Sequence, residues 1–393
     1  MSSLHDSNID ETQKPIEVPH PDNLPESAKD PQATAAVLTE LVEHSAKHDN
    51  VQHGIHAPIN RIMNIPIVKK LIPGIEDYAS QYHVGNYVQM RGSKERFFES
   101  MPIYPRLGMH LLFYGGTQIK LLHNQSVESV LKNLSVRQGQ HYNSPESVKN
   151  IPSFIETYSI QTAELLEPDI SKYKNFNEFF SRKLKDGARP VQNEDDPKQI
   201  CSAADCRLTV FESVDVAKKL WIKGSHFDIP TLLGVAPDSD KAKLFAEASL
   251  GVFRLAPADY HRFHTPIDLT FGETVDIPGQ YYTVNPQAVN ESGFDVFTAN
   301  RRSILFANHT PSETPIAYVS IGAMLVGSVV WTRQKGEQVK RGDELGYFAY
   351  GGSTVVAVFP KGFMTFDEDL VENSSKPIET LMKVGYSLGK INA

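Results

Sequence analysis

The sequence predicts an α+β protein whose C-terminal half is mainly antiparallel, a β sandwich or flattened barrel, with helices on its N-terminal side. Three observations carry that reading. From about Ile200 the chain runs in short β-type segments, among them LTVFESV, SLGVFRLA, GQYYTV, IAYVSIGAMLVGSVVWT, ELGYFAY and STVVAVF. Pro278-Gly279, Lys335-Gly336 and Arg341-Gly342-Asp343 separate them as turns. No crossover helices alternate with the strands, which argues against a doubly wound sheet.

Upstream of residue 200 the pattern is helical. In Ala33–His48, Val37, Leu38, Leu41 and Val42 fall at helical spacing. A second helical region runs from Leu107 to Leu134, and Gly115-Gly116 breaks or bends it. Within it, RLGMHLLFYGGTQIKLL mixes apolar residues with Arg106, His110 and Lys120. That mixture suits a helix packed on the β-rich domain, and it also suits a membrane interface. A further helix is expected over Phe176–Leu184, with Asn175 as its cap and Phe176, Phe179 and Phe180 on one face. Residues 1–30 are rich in Pro, Asp, Glu and Ser and are predicted to be a disordered tail. The expected organisation is therefore a tail (1–30), a helical region (31–195) with a possible membrane-surface contact, and a β-rich domain (196–393).

The formal net charge of −8 over 393 residues argues against nonspecific binding to nucleic acid, because phosphates are repelled overall. Cys201 and Cys206 are the only cysteines, too few for a disulfide framework, and neither has a neighbouring histidine, so no metal site is expected. No run reaches the roughly 20 apolar residues that span a bilayer. The N-terminus lacks an apolar core and is acidic rather than Arg-rich, so neither a secretory nor a mitochondrial leader is read there. The expectation is a cytoplasmic protein, peripheral at most on a membrane.

Three places have chemistry in them, and each has an ordinary reading beside it. Gly351-Gly352-Ser353 lies between two strand-like runs and would by itself be a hairpin turn. The same residues suit backbone cleavage, since glycine tolerates strained torsions and leaves the Gly352 carbonyl open to the Ser353 hydroxyl. His261 and His264, in Asp259-Tyr260-His261-Arg262-Phe263-His264, would point to opposite faces of a strand. They are candidate acids or bases, or simply structural residues. Asp205 sits among small residues in CSAADCR, where a carboxylate can orient a histidine or merely close a turn.

Taken in order, FNEFFSRKL with RPV, CSAADCR, FRLAPADYHRFHTP, YYTVNP, IGAMLVGS and GYFAYGGSTV form a series that resembles the phosphatidylserine decarboxylases. The Gly-Gly-Ser-Thr motif and SVESVLKNLSVRQG resemble the eukaryotic, non-mitochondrial branch. The resemblance covers roughly Leu121–Lys390. The family more often places Pro and Gly around its aspartate, where this chain has Ala203 and Cys206.

The resemblance implies that Asp205, His264 and Ser353 form a self-processing triad. His264, oriented by Asp205, would take the Ser353 hydroxyl proton while the oxygen attacks the Gly352 carbonyl. An N-to-O acyl shift, β-elimination and loss of ammonia would leave a pyruvoyl group at position 353. The pieces would be 1–352 and 353–393, and Ser353 is then a cofactor precursor rather than a catalytic residue. The pyruvoyl group would act as electron sink in decarboxylation of phosphatidylserine to phosphatidylethanolamine, with His264 returning a proton. His261, Thr283 and Asn285 are the candidate substrate contacts, and an oligomer is compatible with the sequence. The alternatives are a soluble pyruvoyl-dependent amino-acid decarboxylase on the same scaffold and a non-catalytic β module, the latter because Lys335–Phe348 resembles a lipoyl-type hairpin.

Overall fold

A computed structural model describes residues 30–36, 39, 85–100, 125–220, 227–284, 289, 295–323, 328–350, 353–376 and 378–392. Two strands, β1 (Gly85–Met90) and β2 (Arg96–Ser100), lie inside the stretch that the sequence reads as helical. The helices Gln125–Asn143, Ile151–Tyr158 and Phe176–Phe180 follow. β3 (Gln199–Cys201) and β4 (Cys206–Phe211) flank the loop that carries Asp205. Next come β5 (Ser249–Leu255), β6 (Arg262–His264), β7 (Leu269–Ile277), β8 (Arg302–His309) and β9 (Pro315–Gly322). β10 (Val329–Trp331), β11 (Gln338–Val339) and β12 (Glu344–Phe348) are short. The chain closes with β13 (Ser353–Phe359), β14 (Met364–Phe366), β15 (Ile378–Met382) and β16 (Ser387–Ile391).

Ten strands form one sheet in the order β11-β7-β8-β9-β13-β5-β4-β15-β1-β2. Only the β1–β15 pairing in it is parallel. The sheet is open, with β11 and β2 at its edges, so the α+β class holds and the flattened barrel does not. Two small antiparallel sheets, β10-β12-β6 and β14-β16-β3, pack with it.

β13 shows why the sequence folds this way. STVVAVF is rich in β-branched residues and apolar from Val355 onward, and all seven residues are buried. A strand covered on both faces loses the polar alternation of a half-exposed one. The expected helix after Asn175 forms, and the Asn175 Oδ1 accepts the Glu178 N–H at 2.9 Å. It stops at Phe180 rather than Leu184, because Arg182 turns inward to donate to the Ala258 and Asp259 carbonyls, each at 3.1 Å. Of the expected helix Ala33–His48, residues up to 36 and residue 39 are helical, and the remainder lies outside the described residues. The amphipathic stretch 106–122 and the tail up to residue 29 also lie outside them.

The residues after Gly352 supply β13, β14, β15 and β16. β13 sits between β9 and β5, β15 between β4 and β1, and β16 between β14 and β3. A chain cut before Ser353 therefore keeps its C-terminal piece paired on both edges of three strands.

Candidate active site

Ser353 heads β13, paired with Gly322 on one side and Leu255 on the other. Its side chain is fully buried and its Oγ has no hydrogen-bond partner among the described residues, as is also true of the neighbouring Thr354 Oγ1 and of Ser320 Oγ on β9. A buried hydroxyl left unpaired costs about 1–3 kcal/mol, and such orphans in a native fold call for a reason. Gly352 lies outside the described residues.

His264 ends β6 and is anchored by its backbone, whose N–H donates to Ala203 O at 2.7 Å. Its Nδ1 lies 2.7 Å from the Gly342 carbonyl. A carbonyl only accepts, so Nδ1 carries the proton and the neutral ring presents Nε2 as its base, with Tyr260 Oη at 3.3 Å. Burial pushes the imidazole below its ordinary value, against the opposing pull of the Gly342 carbonyl and the Glu344 and Asp205 charges. The ring is thus held as a neutral base near pH 7.

The resemblance implies that Asp205 orients His264. The structure gives that position to Gly342. Asp205 instead receives Arg189 Nε and Nη2, the latter at 2.7 Å, and the Val384 N–H at 2.9 Å. Arg189 also reaches Glu164 at 2.9 Å. The reason is geometric: the 202–205 loop and the turn at Gly342 approach β6 together, and the carbonyl is the one that meets Nδ1. Gly342 has φ +88, a left-handed conformation that suits glycine. The Arg341-Gly342-Asp343 turn was the signal for it in the sequence.

His261 immediately precedes β6 and occupies a different environment. It is completely buried, its ring centroid 3.9 Å from that of Phe180. Its Nδ1–H donates to the Asp259 carbonyl at 2.8 Å, and its Nε2 has no hydrogen-bond partner among the described residues. Burial, reinforced by the Arg182 charge, pushes it down to about 3. The loop that presents it is fixed by charge: Arg207 pairs with Asp259 and Glu99, and Arg254 with Glu379 and Glu99.

Thr283 is half-buried, and Asn285 lies outside the described residues. Asn300 ties the Thr283 segment toward Ser353. It accepts the Tyr282 N–H at 2.9 Å and donates to the Tyr282 and Gly322 carbonyls, both at 2.8 Å. Gly322 is the strand partner of Ser353. Asn300 had no motif to announce it. The two cysteines are packing residues: both are buried, and burial pushes the Cys201 thiol up to about 12 and Cys206 well above its ordinary value.

The buried neutral histidines make stability depend on pH. His261 titrates near 6.5 when unfolded and near 3 when folded, so between those values the unfolded chain binds the extra proton. Stability from this group is complete above pH 6.5 and falls as the pH drops, by about 1.4 kcal/mol per unit, or ~2 kcal/mol at pH 5. His264 acts in the same direction. Urea midpoints of the Ser353→Ala chain should therefore fall more between pH 7 and pH 5 than those of the same chain carrying His261→Gln. Equal losses would mean that His261 is not buried neutral.

Comparison with known proteins places this arrangement. A family model described as phosphatidylserine decarboxylase matches residues 176–390. The chain is 45% identical over 291 residues to phosphatidylserine decarboxylase proenzyme 2 of Komagataella phaffii, covering 74% of this chain and 28% of that protein. It is 45% identical over 285 residues to phosphatidylserine decarboxylase proenzyme 2 of Oryza sativa subsp. japonica, covering 72% and 45%. It is 37% identical over 258 residues to the phosphatidylserine decarboxylase proenzyme of Fusobacterium nucleatum, covering 66% and 83%. The chain thus spans under half the length of the two eukaryotic relatives and most of the bacterial one. With the family model extending from the helix at Phe176 through the Ser353 strand to β16, the chain belongs to the phosphatidylserine decarboxylase family.

Proposed function

We propose that this protein is a pyruvoyl-dependent decarboxylase that converts phosphatidylserine to phosphatidylethanolamine after cutting its own Gly352–Ser353 bond. The observation that carries the reading is Ser353: a buried hydroxyl at the head of a central strand, without a hydrogen-bond partner among the described residues, inside the matched family region. The relatives' designation as proenzymes supports it.

In this reading His264 takes the Ser353 Oγ proton at Nε2. The Oγ–C bond to residue 352 forms as the peptide C–N bond breaks, giving an ester and a free amine on residue 353. Elimination then breaks the Cβ–O bond and releases the 352 carboxylate. Water displaces ammonia from residue 353 and leaves a ketone. Ser353 fits this fate because it sits at a strand start, where a new chain end leaves the downstream pairing intact. The pyruvoyl group supplies the electron-accepting carbonyl for loss of carbon dioxide. His261, Thr283 and Asn285 contact the substrate, and the buried surroundings of His261 exclude water from its free Nε2. Asp205 acts on His264 through its charge. The catalytic domain spans 196–393 in two pieces, and β1 and β2 of the region before it complete its large sheet.

No helix among the described residues is long and apolar enough to cross a membrane. That is compatible with a peripheral protein drawing its substrate from a cytoplasmic membrane surface. The deciding assay is carbon dioxide release from vesicles containing phosphatidylserine, set against free serine and aromatic amino acids. Release from the vesicles alone is expected. Release from free amino acids alone would replace the lipid with a small amine as substrate.

A further inference from the structure

Asn177 is a buried polar residue that this processing reaction leaves without a role. It lies in the helix Phe176–Phe180 with its side chain between two other segments. Its Oδ1 accepts the Tyr350 N–H at 2.8 Å, and its Nδ2 donates to Asn143 Oδ1 at 2.8 Å. Asn143 is the last residue of the helix Gln125–Asn143.

The place of that contact along the chain matters. Phe348 N–H donates to the His261 carbonyl at 3.0 Å, and Ala349 N–H to the Ser328 carbonyl at 3.1 Å. At Tyr350 the backbone leaves these backbone partners and is taken by a side chain. Three residues later Ser353 opens β13, where main-chain pairing holds it on both sides. The chain before Ser353 is therefore fixed at residue 350 by Asn177. Aromatic packing holds the same point, with the Tyr350 ring 4.3 Å from Tyr142 and 5.1 Å from Phe180. Phe180 in turn stacks on His261.

We propose that Asn177 is a positioning residue for self-cleavage: its Oδ1 fixes Tyr350 N–H and thereby sets how the chain enters Ser353. The proposal rests on the processing reading above and adds to it. A carboxamide suits the task because it accepts from Tyr350 and donates to Asn143 in one plane, bracing the point against a second helix. Intramolecular attack is sensitive to such placement, since a misplacement of about 1 Å costs on the order of 100-fold in rate. Asn143 is a brace behind Asn177.

The test follows the appearance of the 353–393 fragment in freshly synthesised full-length chain. Asn177→Ala should slow cleavage by about tenfold or more, while Asn177→Asp, which keeps an oxygen for Tyr350, and Asn143→Ala should stay within about threefold of wild type. Rescue by the aspartate separates positioning from mere packing, because both variants lose the donor to Asn143. Unfolding midpoints in a Ser353→Ala background report whether each variant folds. If Asn177→Ala does not fold, the other two still decide, and slow cleavage in either of them while folded overturns the proposal. So does wild-type cleavage in folded Asn177→Ala. A wild-type chain that never cleaves would instead overturn the processing reading itself.

Discussion

Replacing Ser353 by alanine is expected to give a single 393-residue chain where the wild type gives two, 1–352 and a fragment starting at a blocked residue 353. The effect should be all or none, because the oxygen that is removed is the nucleophile itself and no other residue can become the ketone. The substitution is also mild for the fold. Ser353 is completely buried and its Oγ makes no hydrogen bond among the described residues, so alanine breaks none of the hydrogen bonds seen there and relieves an unpaired polar group. Loss of cleavage in this variant therefore reports chemistry rather than misfolding, and its unfolding midpoint should equal or exceed that of the parent. Mass analysis under denaturing conditions reads the outcome directly. A fragment beginning at residue 353 in the alanine variant, or an intact chain from active wild type, would remove the basis for a pyruvoyl enzyme.

Asp205→Ala should have two separable consequences. The carboxylate holds Arg189 through two nitrogens and also accepts the Val384 N–H. Removing it leaves a mostly buried guanidinium with Glu164 as its remaining acidic partner. Breaking a buried pair from one side costs about 3–5 kcal/mol, and the surviving Glu164 contact places this case near 3. Denaturant unfolding in the Ser353→Ala background measures that loss. The second consequence concerns rate: a misplaced or uncharged neighbour of the general base should slow cleavage by about 100-fold or more. Asp205→Asn keeps an acceptor for Val384 and should recover much of the stability but little of the rate. Wild-type cleavage in a folded Asp205→Asn chain would reduce Asp205 to a structural tie between the two pieces.

That dual position explains why Asp205 was legible in the sequence and its geometry was not. CSAADCR marks the residue by its company, but a motif lists neighbours along the chain, and Arg189 and Val384 come from 16 and 179 residues away. His264 is similar. Read as a strand, Asp259–His264 would separate the two rings; they do occupy different surroundings, although β6 covers only Arg262–His264 and His261 lies just before it. The acceptor for Nδ1 is a carbonyl 78 residues downstream, in a turn the sequence identifies only as a turn. Asn300 and Asn177 had no local signature at all, since a buried asparagine that satisfies distant backbone groups looks in sequence like any polar residue.

The sequence by itself determined the α+β class, the run of short strands after residue 200, the Asn175 cap and the position of Ser353 at a strand start. All of these follow from periodicity and turn chemistry within a window of a few residues. Only the tertiary structure decided that the sheet stays open and that β1 joins it parallel to β15. It alone gave His264 to Gly342, Asp205 to Arg189 and Tyr350 to Asn177. These are matters of which distant segments meet and in what register. A strand's own residues specify its faces, but its neighbours are chosen by the packing of the whole chain.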